Sequence, residues 1–335
     1  MSVLLEPDTP VFVAGHRGLV GSALVRRLEA EGCANLLLVD HRDLDLRDPR
    51  AVLEWMDRHR PDVVFIAAGT VGGILANSTR PAEFLYDNLM INAAVIEASR
   101  VTGVHKLLAL GSSCIYPRDA DQPITEGALL TGPLEPTNEP YAVAKIAGIR
   151  LCDTYRAQYG CNFISAMPTN LYGPHDNFDL TSGHVLPALI RKFHEARDRG
   201  DGEVVLWGTG LPRREFLHVD DLADCCVFLM QHYDGPGHVN VGTGHDLSIA
   251  ELAGLVAGIV HPGAAVTYDA SMPDGMPRKV LDVTRLHGLG WRHSIALEQG
   301  IADTYDWFLA NVATVAPTAR PGRPETVAPT TGPVL

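Results

Sequence analysis

The sequence predicts an α/β fold of the Rossmann type, a doubly wound parallel sheet with a smaller C-terminal substrate-binding lobe. Three observations predict it. Strand-like apolar runs alternate with amphipathic helical stretches through the first half of the chain. A glycine-rich string follows the first of these runs and opens a helix. The length of 335 residues leaves room for a second lobe beyond a dinucleotide-binding unit.

Residues 10–14, 36–39, 63–67, 106–111 and 162–167 read as strands, with helical patterns between them that include residues 81–102 and 140–160. This rhythm implies crossover units and a sheet covered on both faces, so residues 1–168 form the expected cofactor domain. From Pro168 to His184 the chain is rich in Pro, Asn, Gly and His and reads as a long functional loop. Elements at 203–206, 248–260, 266–269 and 295–311 fill an expected substrate lobe over 169–314, with some strands returning to the first domain. The Pro-rich residues 315–335 bury too little surface to fold, and disorder is expected there.

Composition narrows the function. A net charge of −13 argues against nucleic acid, which needs a broad basic face. The first residues lack a signal-peptide pattern and no stretch is long and uncharged enough to span a membrane, so a cytoplasmic protein is expected. Cys33, Cys114, Cys152, Cys161, Cys225 and Cys226 show no metal-ligand spacing. They are expected to be free thiols, and no metal is expected.

The string Gly15-His16-Arg17-Gly18-Leu19-Val20-Gly21 has the GxxGxxG spacing of extended short-chain dehydrogenases. Such glycines let backbone N–H groups approach a pyrophosphate at a helix N-terminus and let the helix pack closely on the strand. A ligand-free turn is the plain alternative, and placement between first strand and first helix favours binding. At the end of the second strand Asp40 suits a free ribose 2′-hydroxyl, whereas Arg17 and Arg42 suit a 2′-phosphate. Two arginines against one carboxylate favour NADP(H), with NAD(H) left open. Asp45, Leu46 and Asp48 suit an adenine-side wall and a helix cap, and Ala67 and Ala68 provide small residues where the cofactor passes.

Tyr141 and Lys145 lie four residues apart on one helical face. A neighbouring ammonium eases formation of the phenolate, so Tyr141 can move a proton near neutral pH, and Lys145 can hold a nicotinamide ribose. Ser112, in Gly111-Ser112-Ser113 at the end of the fourth strand, can bond the same substrate oxygen. Such pairs also occur on exposed helices by chance. With the glycine loop, however, the set points to carbonyl/alcohol redox chemistry.

Longer strings carry a closer resemblance. Gly15-His16-Arg17-Gly18, Val71-Gly72-Gly73-Ile74, Ser112-Ser113-Cys114-Ile115-Tyr116-Pro117, Pro136-Thr137-Asn138-Glu139-Pro140-Tyr141, His175-Asp176-Asn177-Phe178 and Arg214-Glu215-Phe216-Leu217-His218 together resemble the GDP-L-fucose synthase family, from about residue 10 to residue 311. The resemblance implies 3,5-epimerisation of GDP-4-keto-6-deoxy-D-mannose followed by NADPH reduction at C4. It implies Ser112, Tyr141 and Lys145 as the reduction triad and Cys114 and His184 as the epimerisation pair. A buried small hydrophobe and a polar helix-start residue would otherwise be their ordinary readings. Pro168, Asn170, Leu171 and His184 become cofactor contacts, with Asn170 and Leu171 on the nicotinamide-side wall, and Ser113, Asn170, Lys192, Trp207, Arg214 and Lys279 become the nucleotide-sugar contacts.

A single-function NDP-sugar 4-reductase or 4-epimerase would not need Cys114 and His184, and a non-catalytic dinucleotide-binding protein would not need the triad. The GDP-sugar is the expected small-molecule partner. The helices at 81–102 and 140–160 are expected to pair across a two-fold axis in a homodimer, with Phe84, Ile91, Val95, Ile146 and Ile149 near it.

Overall fold

The computed structural model describes residues 5–180, 182–272 and 274–313, so the tail expected over 315–335 lies outside the described residues. The chain runs through β1 (Val11–Ala14), α1 (Leu19–Ala30), β2 (Leu36–Leu37), α2 (Pro49–His59), β3 (Val63–Ile66), α3 (Ile74–Thr79), α4 (Pro81–Thr102), β4 (Lys106–Leu110), α5 (Glu139–Tyr159) and β5 (Phe163–Pro168). It continues as β6 (Asn170–Tyr172), α6 (Val185–Arg199), β7 (Glu203–Trp207), β8 (Arg213–His218), α7 (Val219–His232), β9 (His238–Val241), β10 (Asp246–Ser248), α8 (Ile249–Val260), β11 (Ala265–Asp269), β12 (Arg278–Lys279), α9 (Thr284–Leu289) and α10 (Leu297–Asn311).

Six strands form a parallel sheet in the order β2-β1-β3-β4-β5-β9. The chain steps from β1 to β2 on one side and then returns to place β3 on the other, which opens a crevice at the carboxyl ends of β1 and β3. Strand alternation sends Val11, Val13, Val63, Phe65, Leu108 and Leu110 to one face, packed with residues of α1 and α7. Phe12, Ala14, Val64, Ile66, Leu107 and Ala109 go to the other, packed with α2, α4 and α5. Both faces are buried, and the strands read as continuous apolar runs for that reason. A separate core gathers α6, α8 and α10 with β7, and includes Phe193, Leu206, Val256 and Phe308.

Three expectations change. The second strand is shorter than residues 36–39, because it is the sheet edge and only Leu36 and Leu37 find partners, at Val11 and Phe12. The segment read as irregular after Pro168 contains β6, whose partner, β8, lies more than forty residues away. Phe84, Ile91, Val95, Ile146 and Ile149 are not on a free dimer face but buried inside the subunit, because its own sheet and neighbouring loops cover that apolar stripe. The large apolar side chains that α4 and α5 leave exposed are Tyr86, Leu89, Val101, Val143 and Tyr159.

Candidate active site

The crevice beside β1 is a cleft of about 460 Å³ lined by Gly15, Arg17, Gly18, Asp40, Arg42 and Ala68 among others. Gly15 has φ +86°, and a Cβ there would lie 2.7 Å from the Ala68 backbone. At Gly21 a Cβ would lie 2.0 Å from the Gly15 carbonyl oxygen. Both glycines are therefore demanded by packing of the loop, strand and helix. Gly18 is different: the nearest atom to a Cβ there is 3.6 Å away, so the fold leaves that side open toward the cleft. Leu19 and Val20 pack their side chains on the core while supplying early N–H groups of α1, which the helix itself cannot satisfy.

Asp40 and Arg17 meet each other. Arg17 Nε lies 2.7 Å from Asp40 Oδ1, with His16 Nε2 at 3.6 Å from the same oxygen. The contact is an ion pair without hydrogen-bond alignment, since Asp40 Oδ1 has no hydrogen-bond partner. A carboxylate already neutralised by an arginine is a weaker objection to a cofactor phosphate than the same residue alone, and Arg42 lines the cleft beside it. Farther along, Arg47 binds Asp45 bidentately and Asp87 at 3.0 Å, and Thr70 donates to Asp87 at 2.9 Å. This network was only partly legible, because Asp87 comes from α4.

At the end of β4, Ser112 caps the short turn Ser113–Ile115, accepting from the Cys114 N–H at 3.5 Å. The Ser112 hydroxyl also lies near Tyr141 and opposes the upward pull that burial exerts on that phenol. Lys145, one turn along α5, donates from Nζ to the Leu110 carbonyl at 3.0 Å and lies 5.7 Å from the Tyr141 ring centroid. Burial pushes its ammonium down to about 8. Ser112, Cys114, Tyr141 and Lys145 thus converge where β4 ends, with Ser113 buried beside them.

His184 caps α6 from the extended side. Its ring is open to solvent on one side, while crowding by neighbouring protein atoms and the Lys279 charge hold its imidazole below the usual range, which favours the neutral ring. Lys279 and Ser113 line the same small cavity as Cys114. On the outer side, Lys192 Nζ sits 5.2 Å above the Trp207 ring, which is 65% exposed. Arg214 donates from one nitrogen to the carbonyls of Met276, at 2.6 Å, and Arg213, at 2.8 Å.

Ala67, Pro168, Asn170 and Leu171 are not among the residues lining the cleft. Asn170 donates to the Glu215 carbonyl at 2.7 Å, which ties β6 to β8, and Leu171 packs on the core.

Sequence reasoning missed Asn88 and Glu215. Asn88 Nδ2 donates to Thr70 and Phe84 carbonyls while its buried Oδ1 has no partner, and a Cβ at Gly69 would lie 2.6 Å from that oxygen and 3.5 Å from Lys145 Nζ. Glu215, fully buried, accepts from the N–H groups of Thr243, Gly244 and Leu281 at 2.6, 2.7 and 2.9 Å. It staples three segments behind Arg214. Only a carboxylate inside an apolar strand pattern hinted at it.

Comparison with known proteins identifies the family. The NAD dependent epimerase/dehydratase family matches residues 11–242. GDP-L-fucose synthase 1 of Arabidopsis thaliana is 54% identical over 312 residues, covering 93% of this chain and 97% of that protein. GDP-L-fucose synthase of Escherichia coli strain K12 is 54% identical over 310 residues, covering 90% and 97%. A solved GDP-L-fucose synthetase from Naegleria fowleri bound to NADP superposes with a TM-score of 0.86 at 31% identity, covering 92% of this chain and 95% of that one. On the family match, the shared identity and the common fold, the chain belongs to the NAD dependent epimerase/dehydratase family and, within it, to the GDP-L-fucose synthases.

Proposed function

We propose that the protein converts GDP-4-keto-6-deoxy-D-mannose to GDP-L-fucose by 3,5-epimerisation and NADPH-dependent reduction at C4. The observation that carries this reading is the convergence of Cys114 with Ser112, Tyr141 and Lys145 at the end of β4. A reductase alone needs the last three. The C4 ketone acidifies the hydrogens on C3 and C5, so a flanking base can remove one while Ser112 and Tyr141 stabilise the enolate oxygen. Cys114 and His184 are the groups proposed to remove and return these protons on opposite faces of the sugar.

Bound NADPH supplies the hydride for C4. Tyr141 delivers the proton to the C4 oxygen, and the Lys145 ammonium stabilises the phenolate left behind. The cleft fits that cofactor: Gly18 leaves an open side at the start of α1, and Arg17 and Arg42 offer cations at the ribose end. Residues 1–168 with β9 are assigned to the cofactor. The region 169–314 is assigned mainly to the nucleotide-sugar, with Lys192, Trp207 and Arg214 facing the nucleotide.

Among the described residues no helix is long and apolar enough to cross a membrane. Six free thiols and NADPH chemistry suit the reducing cytoplasm, where we place the enzyme. We assign it a two-fold dimer through the outer faces of α4 and α5, where Tyr86, Leu89 and Val143 are exposed.

Incubation with GDP-4-keto-6-deoxy-D-mannose and NADPH, followed by NMR of the product, tests the reading. GDP-L-fucose is expected. A 4-reduced sugar with C3 and C5 unchanged would reduce the protein to a single-function reductase.

A further inference from the structure

β12 pairs in parallel with β8, Arg278 opposite Arg213 and Lys279 opposite Arg214. Successive residues of a strand face opposite ways, and these two cations meet different surroundings. Arg278 reaches Asp246, which also binds Arg213 at 2.9 Å. Lys279 turns inward, and its Nζ makes no ion pair or hydrogen bond with a described residue. It lines, with Ser113, Cys114, Glu135 and Asn138, a small, partly open recess of about 10 Å³, at the lower limit for one water. The charged groups facing this ammonium are the Arg214 guanidinium and the Glu215 carboxylate, the latter already engaged by the N–H groups of Thr243, Gly244 and Leu281, with Glu135 on the same recess.

We propose that Lys279 is a positioning residue of the epimerisation step, whose ammonium is the counter-charge of the Cys114 thiolate rather than a grip on the diphosphate. The inference rests on the proposed role of Cys114. Burial raises the thiol, and Lys279 is foremost among the groups opposing that rise, ahead of Ser112 and Lys145. The remaining groups around the sulfur are Tyr141 on α5 and Glu135 in the loop before it. Lys145 is already held by the Leu110 carbonyl, which leaves Lys279 as the unengaged cation. The same charge lowers His184. A positive charge favours thiolate over thiol and imidazole over imidazolium, so its removal moves both titrations to higher pH.

The test is a pH titration of thiolate absorbance in the substrate-free protein, taken as the difference from its Cys114→Ser form, for wild type, Lys279→Met and Lys279→Arg. NADPH binding serves as the check of folding, and Lys279→Gln replaces Lys279→Met if that variant does not bind NADPH. The expected result is a midpoint at least about one unit higher in Lys279→Met, hence about tenfold less thiolate at a fixed pH below it, and a near-normal midpoint in Lys279→Arg. With substrate, the pH profile of deuterium incorporation at C3 and C5 moves upward in the same variant, whereas a purely structural loss would lower it in place. An unmoved midpoint in Lys279→Met, or a midpoint raised equally in Lys279→Arg, overturns the proposal. Wild-type deuterium incorporation in Cys114→Ser would instead remove Cys114 from epimerisation, and the thiolate midpoint would still decide the link to Lys279.

Discussion

Cys114 and Tyr141 both face Ser112, yet the proposed chemistry asks different things of them. Cys114→Ser preserves size but replaces a thiol, which can give up its proton to act as a base, with a far less acidic hydroxyl. That variant is expected to lose at least about 100-fold in deuterium incorporation at C3 and C5, the scale of a lost acid or base, while still reducing the ketone slowly. Tyr141→Phe is expected to retain some exchange and lose most NADPH oxidation, which product NMR and absorbance separate. Equal loss of both activities in both variants would contradict the division of labour. The spacing of Tyr141 and Lys145 was readable because a helix turn fixes it. Asn88 and Glu215 were not, because their partners, such as the N–H groups of Thr243 and Leu281, are set by chain crossings.

The glycine loop and α1 form an element whose glycines have separable duties. A Cβ at Gly21 would collide with the Gly15 carbonyl at 2.0 Å, whereas one at Gly18 meets nothing closer than 3.6 Å. Gly21→Ala is therefore expected to destabilise the domain by about 1–3 kcal/mol or more, the usual cost of overpacking, seen as a lower melting temperature. Gly18→Ala should change stability by no more than about 1 kcal/mol, near the size of ordinary helix-start effects, yet weaken NADPH binding at least tenfold by fluorescence titration. A Gly18→Ala protein with undiminished affinity would remove the start of α1 from the cofactor site. The string itself announced a strand, a turn and a helix. Its letters did not distinguish a glycine required by packing from one left open for a ligand.

Across the whole molecule, the outer faces of α4 and α5 carry the dimer proposal. Tyr86, Leu89 and Val143 remain exposed after the subunit has buried the stripe that includes Ile91 and Ile149. Leu89→Arg combined with Val143→Arg is expected to give a monomer by light scattering at micromolar concentration. Secondary structure should be unchanged, because both side chains already lie at the surface. An unaltered dimer mass would place the interface elsewhere, and a monomeric wild type would end the proposal.

The sequence by itself determined the alternation of strands and helices, the glycine loop and the Tyr141–Lys145 spacing, because each depends on spacing within a few residues or on the burial of both sheet faces. Only the tertiary structure decided that Arg17 neutralises Asp40, that β6 seeks β8, that the apolar stripe on α4 faces inward, and that Arg278 and Lys279 part company. Those outcomes depend on which distant segment the fold brings to a given surface or charge. A local pattern shows what a residue can bind, and the crossing of the chain selects its partner.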